Sequence, residues 1–186
     1  MIILKDISVS PERETAIALG AFDGVHLGHR AVIETAVGEA EASGLIPAVF
    51  TFSELPKNAL AQGRRIPPLC SFEEKARLIS ALGAELMWAP AASRELLSTP
   101  AEEFVREILI GRLRAAHIFC GEDHRFGKGG AGDVDLLCRI ARGEGAKVTV
   151  VPPVEMGGER VSSTRIRRLL TEGRIDDARA LLGHGI

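Results

Sequence analysis

With 186 residues, 46% of them hydrophobic and 26% charged, the chain is long enough for an α/β domain with a substantial core and too apolar for global disorder. Its formal net charge of −2 argues against a general nucleic-acid binder, which is normally basic, and leaves room for a local basic pocket that takes a small anion. The three cysteines, Cys70, Cys120 and Cys138, are too widely spaced for a zinc site or a disulfide framework; with no signal peptide and no long apolar span in view, the expectation is a cytoplasmic protein that stays off the membrane.

In chain order, Met1 to Ser10 alternates weakly and reads as a short edge strand. Glu14 to Phe22 reads as a buried strand. A helix is predicted from about Gly28 to Ala42, with Ala31, Val32, Ala36 and Ala40 at helical spacing and Ser43-Gly44 as its stop. Pro47 to Phe52 is the next strand, which makes a right-handed β-α-β unit with parallel strands. Ser53 to Leu69, which holds Pro56, Lys57, Arg64, Arg65, Pro67 and Pro68, reads as a long loop of the kind used as a lid or binding loop. Ser71-Phe-Glu-Glu74 is a capping box that opens a helix to about Leu82, and Glu85 to Ala89 is a third strand. Thr99-Pro-Ala-Glu102 reads as a second capping box, with proline at the first helical position, for a helix ending near Leu113. Ala115 to Cys120 is a fourth strand, Gly121 to Gly132 is rich in turns, Val134 to Arg142 is a helix closed by Gly143, and Lys147 to Val151 is a fifth strand. Arg160-Val161 is a candidate sixth. Ser162-Ser-Thr164 caps a helix from Arg165 to Leu170, closed by Gly173, and Asp176 to Leu182 is the last helix. The alternation predicts an α/β protein: a Rossmann-like open parallel sheet of about five strands with helices on both faces, in one domain over 1–186 whose C-terminal segment, 162–186, is helical.

The chemistry concentrates in Gly20-Ala-Phe22-Asp23-Gly24-Val-His26-Leu-Gly28-His29, where a strand hands over to a helix. That is a natural phosphate site, because backbone N–H groups and the helix dipole face the anion and glycine permits close approach. An imidazole donates to phosphate in either protonation state and can be cationic beside a tetra-anionic nucleotide. Two histidines fall short of the three or four ligands of a metal site, and a purely structural role, satisfying helix-end groups, is the plainer alternative. Ser162, Ser163 and Thr164 read equally as an ordinary N-cap, Phe126 as core, and Arg125 and Lys128 as solvated charges beside a glycine-rich turn.

The segment from Gly20 to His29 resembles the opening motif of the FMN adenylyltransferase domain of bacterial FAD synthetases, members of the HxGH nucleotidyltransferase superfamily. Gly121-Glu-Asp123-His-Arg125-Phe126-Gly127-Lys128, followed by Ala131-Gly132-Asp133, resembles the family's second signature. Val161-Ser162-Ser163-Thr164-Arg165-Ile166-Arg167, then Gly173 and Ala178 to Gly183, resembles its third. The three occur in the family's order, which is far more specific than a lone HxGH. The resemblance implies the HxGH nucleotidyltransferase fold and adenylyl transfer from ATP, carried with Mg²⁺, to FMN, giving FAD and pyrophosphate. It implies His26, His29 and Arg165 as catalytic residues. It assigns Gly20, Phe22, Asp23, Gly24, Gly28, Ser162, Ser163, Thr164 and Arg167 to ATP, and Phe52, Pro56, Asp123, Arg125 and Phe126 to the flavin. ATP and FMN are then the expected small-molecule partners. Two positions depart from the family: His124 replaces an aromatic, and in Phe52-Ser-Glu54-Leu-Pro56 a glutamate replaces the first proline of Phe-x-Pro-x-Pro. Both belong to the flavin side. They keep open a different phosphomonoester acceptor, or a non-catalytic role in binding flavin or nucleotide. The riboflavin kinase module that usually follows, with its Pro-Thr-Ala-Asn type motif, is not found in these residues, so riboflavin phosphorylation is not expected of them.

Overall fold

Alternate residues of one strand serve two different cores. Thr15–Leu19 (β2) is wholly buried; Ile17 and Leu19 pack into one apolar cluster and Ala16 and Ala18 into another on the opposite face, as the two-residue side-chain period of a strand dictates. The structure, a computed structural model, describes residues 1–59, 63 and 65–185. Around β2 lies a six-stranded parallel sheet made of Ile2–Leu4 (β1), β2, Ile46–Phe50 (β3), Leu86–Trp88 (β4), Ala115–Gly121 (β5) and Lys147–Val151 (β6), in the order β1-β4-β3-β2-β5-β6. Leu27–Ser43 (α1) contributes Val32, Ile33, Ala36 and Ala40 to one face, with Ala76 and Ile79 of the helix at Phe72–Ala81. The other face is covered by the helical segment from Ala101 to Arg112 and by the helix at Val134–Gly143. A short turn of helix, Pro56–Ala59 (α2), precedes Phe72–Ala81 (α3). Arg94–Leu97 (α4) precedes Ala101–Glu103 (α5), and Val134–Gly143 is α6.

From β2 the chain crosses through α1 and α3 to β3 and β4 on one side, then returns to place β5 and β6 on the other. The strand order therefore reverses between β2 and β5. A crevice opens at such a point beyond the carboxyl ends of the strands, and the segments at 20–29 and 121–132 leave these two strands there.

The expected parallel sheet with helices on both faces is present, with a sixth strand because Ile2–Leu4 joins β4 in parallel at the edge. The candidate strand at Arg160-Val161 does not enter the sheet. Glu155–Met156 (β7) and Glu159–Arg160 (β8) form a separate antiparallel hairpin, since Pro152 and Pro153 lack the N–H groups needed to continue a ladder. Ser71 caps α3 as expected, accepting from the Glu74 N–H at 3.1 Å. Thr99 does not cap: its hydroxyl bonds the Glu95 carbonyl at 3.5 Å, Pro100 occupies the cap position, and Phe104–Arg112 winds as a wide π-helix. The helix expected to close at Gly143 runs through that residue. Within the predicted 53–69 loop, α2 forms; Arg64, named in that loop, lies outside the described residues. Ser163–Thr171 (α7) and Ile175–Leu182 (α8) pack on each other through Ile166, Leu169, Ala178 and Leu181, as a small third cluster.

Candidate active site

The loop from Gly20 to His26 makes one wall, and its backbone is strained. Phe22 and Val25 sit at φ +47° and +40°, left-handed values that cost a side chain, and a β-branched one most. Gly24 sits at φ +78°, where it also passes so close to Leu69 that a Cβ would stand 2.9 Å from that side chain. Such a conformation persists only if its surroundings over-determine it, and here distant groups hold its carbonyls in turn. Thr51 Oγ1 donates to Ala21 O at 3.0 Å, Ser163 Oγ to Asp23 O at 3.1 Å, and a ring nitrogen of His184 lies 2.8 Å from Gly24 O. The Asp23 carboxylate, buried, accepts from the Leu69 N–H at 2.9 Å and pairs with Arg167, whose guanidinium also reaches Pro67 O at 3.0 Å.

This turn delivers His26 as the N-cap of α1. Its Nδ1 accepts from the His29 N–H at 3.3 Å, so a neutral His26 carries its hydrogen on Nε2. The His26 and His29 rings stack with centroids 3.5 Å apart and 17° between planes. Phe22 meets His29 edge-on at 5.4 Å. Gly28 makes room for the stack, since a Cβ there would lie 3.3 Å from His26 Cε1. Burial pushes His26 down to about 4, against the opposing pull of Asp23. It pushes His29 well below the ordinary histidine value, with His26 and Lys75 adding to the effect. Both rings are therefore neutral at pH 7 and act as N–H donors. A bound polyanion would be needed to favour the charged form.

The cleft is about 700 Å³. Gly20, Phe22, His26, Gly28 and His29 line it with Ser162 and Ser163. Phe52, Pro56, Asp123, Arg125 and Phe126 line it as well. Ser162 both lines the cleft and caps α7, accepting from Arg165 N–H at 3.2 Å, so the start of a helix, a favourable place for an anion, borders the cavity. Phe126 is buried against Phe104 in the core and still contributes to the wall. Arg125 is mostly exposed and stands 3.7 Å from Asp133. His124, lining the cleft, lies nearly parallel to Phe126 with centroids 5.9 Å apart, and burial pushes it down to about 4.

Five of the expected site residues stand off the cleft wall. Asp23, Gly24 and Arg167 form the latch behind it. Thr164 and Arg165 line a shallower depression beside it with Arg160 and Arg168. The Arg165 guanidinium is spent on the hairpin, donating to Met156 O at 2.9 Å and Glu159 O at 2.7 Å.

Sequence reading passed over two cations. Arg160 of β8 lines the cleft and pairs with Asp123 at 2.8 Å, and it faces His26 closely enough to lower its pKa. Lys75 of α3 is buried. Neither was visible in the sequence, because charged residues on a hairpin and on an amphipathic helix normally face water.

A family model described as FAD synthetase matches residues 8–165. A bifunctional riboflavin kinase/FMN adenylyltransferase of Listeria monocytogenes is 37% identical over 169 residues, covering 90% of this chain and 53% of that protein. One from Escherichia coli K12 is 30% identical over 181 residues, covering 97% and 58%. A FAD synthetase of Listeria monocytogenes is 34% identical over 183 residues, covering 96% and 73%. This chain thus spans little more than half the length of the bifunctional relatives. A crystal structure described as a macrolide-efflux protein from Streptococcus pneumoniae superimposes with a TM-score of 0.88 at 30% identity, over 98% of this chain and 60% of that one. Among the described residues no helix is long and apolar enough to cross a membrane. By the extent of the family match and the gathering of its three signature segments around one crevice, the chain belongs to the FAD synthetase family.

Proposed function

We propose that residues 1–186 act as an adenylyltransferase domain that converts FMN and ATP to FAD and pyrophosphate. The observation that carries this reading is the meeting of 20–29, 121–132 and 160–163 on one cleft at the point where the strand order reverses. In the proposed step an oxygen of the FMN phosphate bonds to the ATP α-phosphorus as the bond from that phosphorus to the bridging oxygen breaks, and pyrophosphate leaves. No protein nucleophile is needed; positioning and charge stabilisation carry such transfers. His26 and His29 donate N–H groups to the α-phosphate as charge builds. Gly20, Phe22, Gly28, Ser162 and Ser163 bound the nucleotide, with Asp23, Gly24 and Arg167 holding its wall. Thr164, in the adjoining depression, meets the departing phosphates, and Arg165 serves there by holding the hairpin that carries Arg160. Phe52, Pro56, Asp123, Arg125 and Phe126 take the flavin.

Mg²⁺ prefers oxygen ligands and keeps several waters, so it suits a site where ATP phosphates supply most of the donors. Asp123 is the carboxylate of this cleft that fits such an ion. Bound there, the ion would neutralise phosphate charge. We place the reaction in the cytoplasm, in keeping with three free cysteines.

Incubation with FMN, ATP and Mg²⁺, followed by mass spectrometry, is expected to give FAD and pyrophosphate in equal amounts. ATP binding without any flavin adenylation would overturn the reading. His124 on the acceptor wall supports a second reading, in which another phosphomonoester accepts the adenylyl group. Pantetheine phosphate, glycerol phosphate and nicotinate mononucleotide as competing acceptors decide between the two.

A further inference from the structure

Lys75 is one of two formally charged acids and bases, other than histidine, that the described residues bury; Asp23 is the other. Burying an ammonium is expensive and is normally offset by a carboxylate. Lys75 has no ion-pair partner among the described residues. Its Nζ donates instead to Phe52 O at 2.7 Å, with Ala21 O and Thr51 Oγ1 each at 3.4 Å, and it sits 5.8 Å from the centre of the Phe72 ring. The fold alone does not require a cation here, because Thr51 already bonds Ala21 O at 3.0 Å. What the three acceptors share is their place: they end β2 and β3 where those strands meet the cleft. Ala21 and Phe52 both line it, just past the paired ends of these adjacent strands.

We infer that Lys75 is a positioning residue of the transfer site: it ties the adjacent ends of β2 and β3 together through the Ala21 and Phe52 carbonyls and places a positive charge, held without an ion pair among the described residues, behind the stacked His26–His29 pair, where a phosphate arrives. The inference rests on the adenylyl-transfer reading for its consequence in turnover and on geometry alone for the rest. The groups that face the Lys75 charge are Asp23 in the turn, Cys70 before α3 and His29 on α1. On the far side His26 is faced by Asp23 and Arg160. Burial, with His26, holds the His29 ring neutral, and Lys75 adds to the effect. A neutral hydrogen-bonding residue would tie the two strand ends and bring no charge to the arriving phosphate.

Three measurements separate these tasks. Lys75→Gln keeps a donor and loses the charge; Lys75→Met loses both. In the Gln variant we expect kcat to fall by about 10²-fold, on the scale of a lost electrostatic stabiliser, with the KM for FMN within a few-fold of the unmutated protein. A ¹⁵N-histidine NMR titration of the same variant should show His29 titrating at higher pH than before. The Met variant should raise the KM for FMN as well. Unchanged kcat and an unmoved His29 titration in Lys75→Gln would overturn the proposal. Should both variants fail to fold, the unmutated protein decides: the Lys75 ¹⁵Nζ resonance must shift when MgATP is added, and a resonance that stays put while ATP binds overturns it. The titration and the ATP response do not depend on which acceptor is used, so they remain decisive if FMN adenylation itself fails.

Discussion

The two ends of the cleft are built on different plans. At the nucleotide end, buried neutral rings, a strained turn and backbone carbonyls are held from behind by Thr51, Lys75, Ser163, Arg167 and His184. At the acceptor end the wall comes from loops: Phe52 and Pro56 on one side of a segment only partly described, and Asp123, His124 and Arg125 on a glycine-rich turn. There the charged groups, Asp123 with Arg160 and Arg125 with Asp133, pair near solvent, where ion pairs are weak. The contrast teaches where each property of the site resides. Under the proposed assignment, geometry for phosphoryl transfer is set by elements that cannot shift without breaking the core, while acceptor preference sits on loops that can change without cost to it.

Acid should give the largest effect. His26 and His124 stand at about 4 in the folded protein, and His29 lies well below 6.5, against 6.5 for an ordinary histidine. Between those values the unfolded chain binds more protons than the folded one. Stability is therefore complete above about pH 6.5 and drains away toward pH 4, by roughly 3 kcal/mol for His26 alone. Urea unfolding at a series of pH values tests this. Since the nucleotide end holds two such rings and the acceptor end one, His124→Phe should leave most of the acid sensitivity in place; its loss in that variant would reverse the comparison.

The next effect is on turnover. His29→Ala should cut kcat by about 10²-fold or more, the scale of a lost transition-state donor. Stability should hardly change, because His29 Nδ1 is buried without a hydrogen-bond partner among the described residues and its removal relieves that burden. Steady-state kinetics and a thermal melt on the same sample read both; full activity would remove His29 from the mechanism.

Asp23→Asn probes the latch with no change of shape. It leaves Arg167 without its carboxylate and should cost about 2 kcal/mol, read calorimetrically as a fall in Tm of roughly 4–8 °C. If instead the variant melts normally, the turn is held by its other partners and the latch is redundant. The smallest expected change is at the acceptor end. Phe126→Leu preserves most of the buried volume and should raise the KM for FMN a few-fold, about 1 kcal/mol or less, with a smaller change for ATP. Equal changes for both substrates would confine Phe126 to the core.

Much of this protein follows from local sequence. Strand and helix periodicities, the Ser71 and Ser162 caps and the order of the three signatures depend on residues within a turn or two of one another. They are written in short windows, and the structure reproduces them nearly in place. Failures also have local causes: Thr99 lost its cap role because the helix starts one residue later, with Pro100 at the cap position, and Arg160 joined a hairpin because two prolines stop the strand before it. Only the tertiary structure decided the rest. Asp23 and Arg167 meet across 144 residues because the strand order brings the end of β2 beside α7. The histidines are neutral because the same packing withdraws them from water, and Lys75 turns inward from a helix whose pattern looked like any surface helix. Periodicity tells which face of an element is buried. It does not say what waits on the other side, and in this cleft that neighbour sets the protonation of His26 and His29.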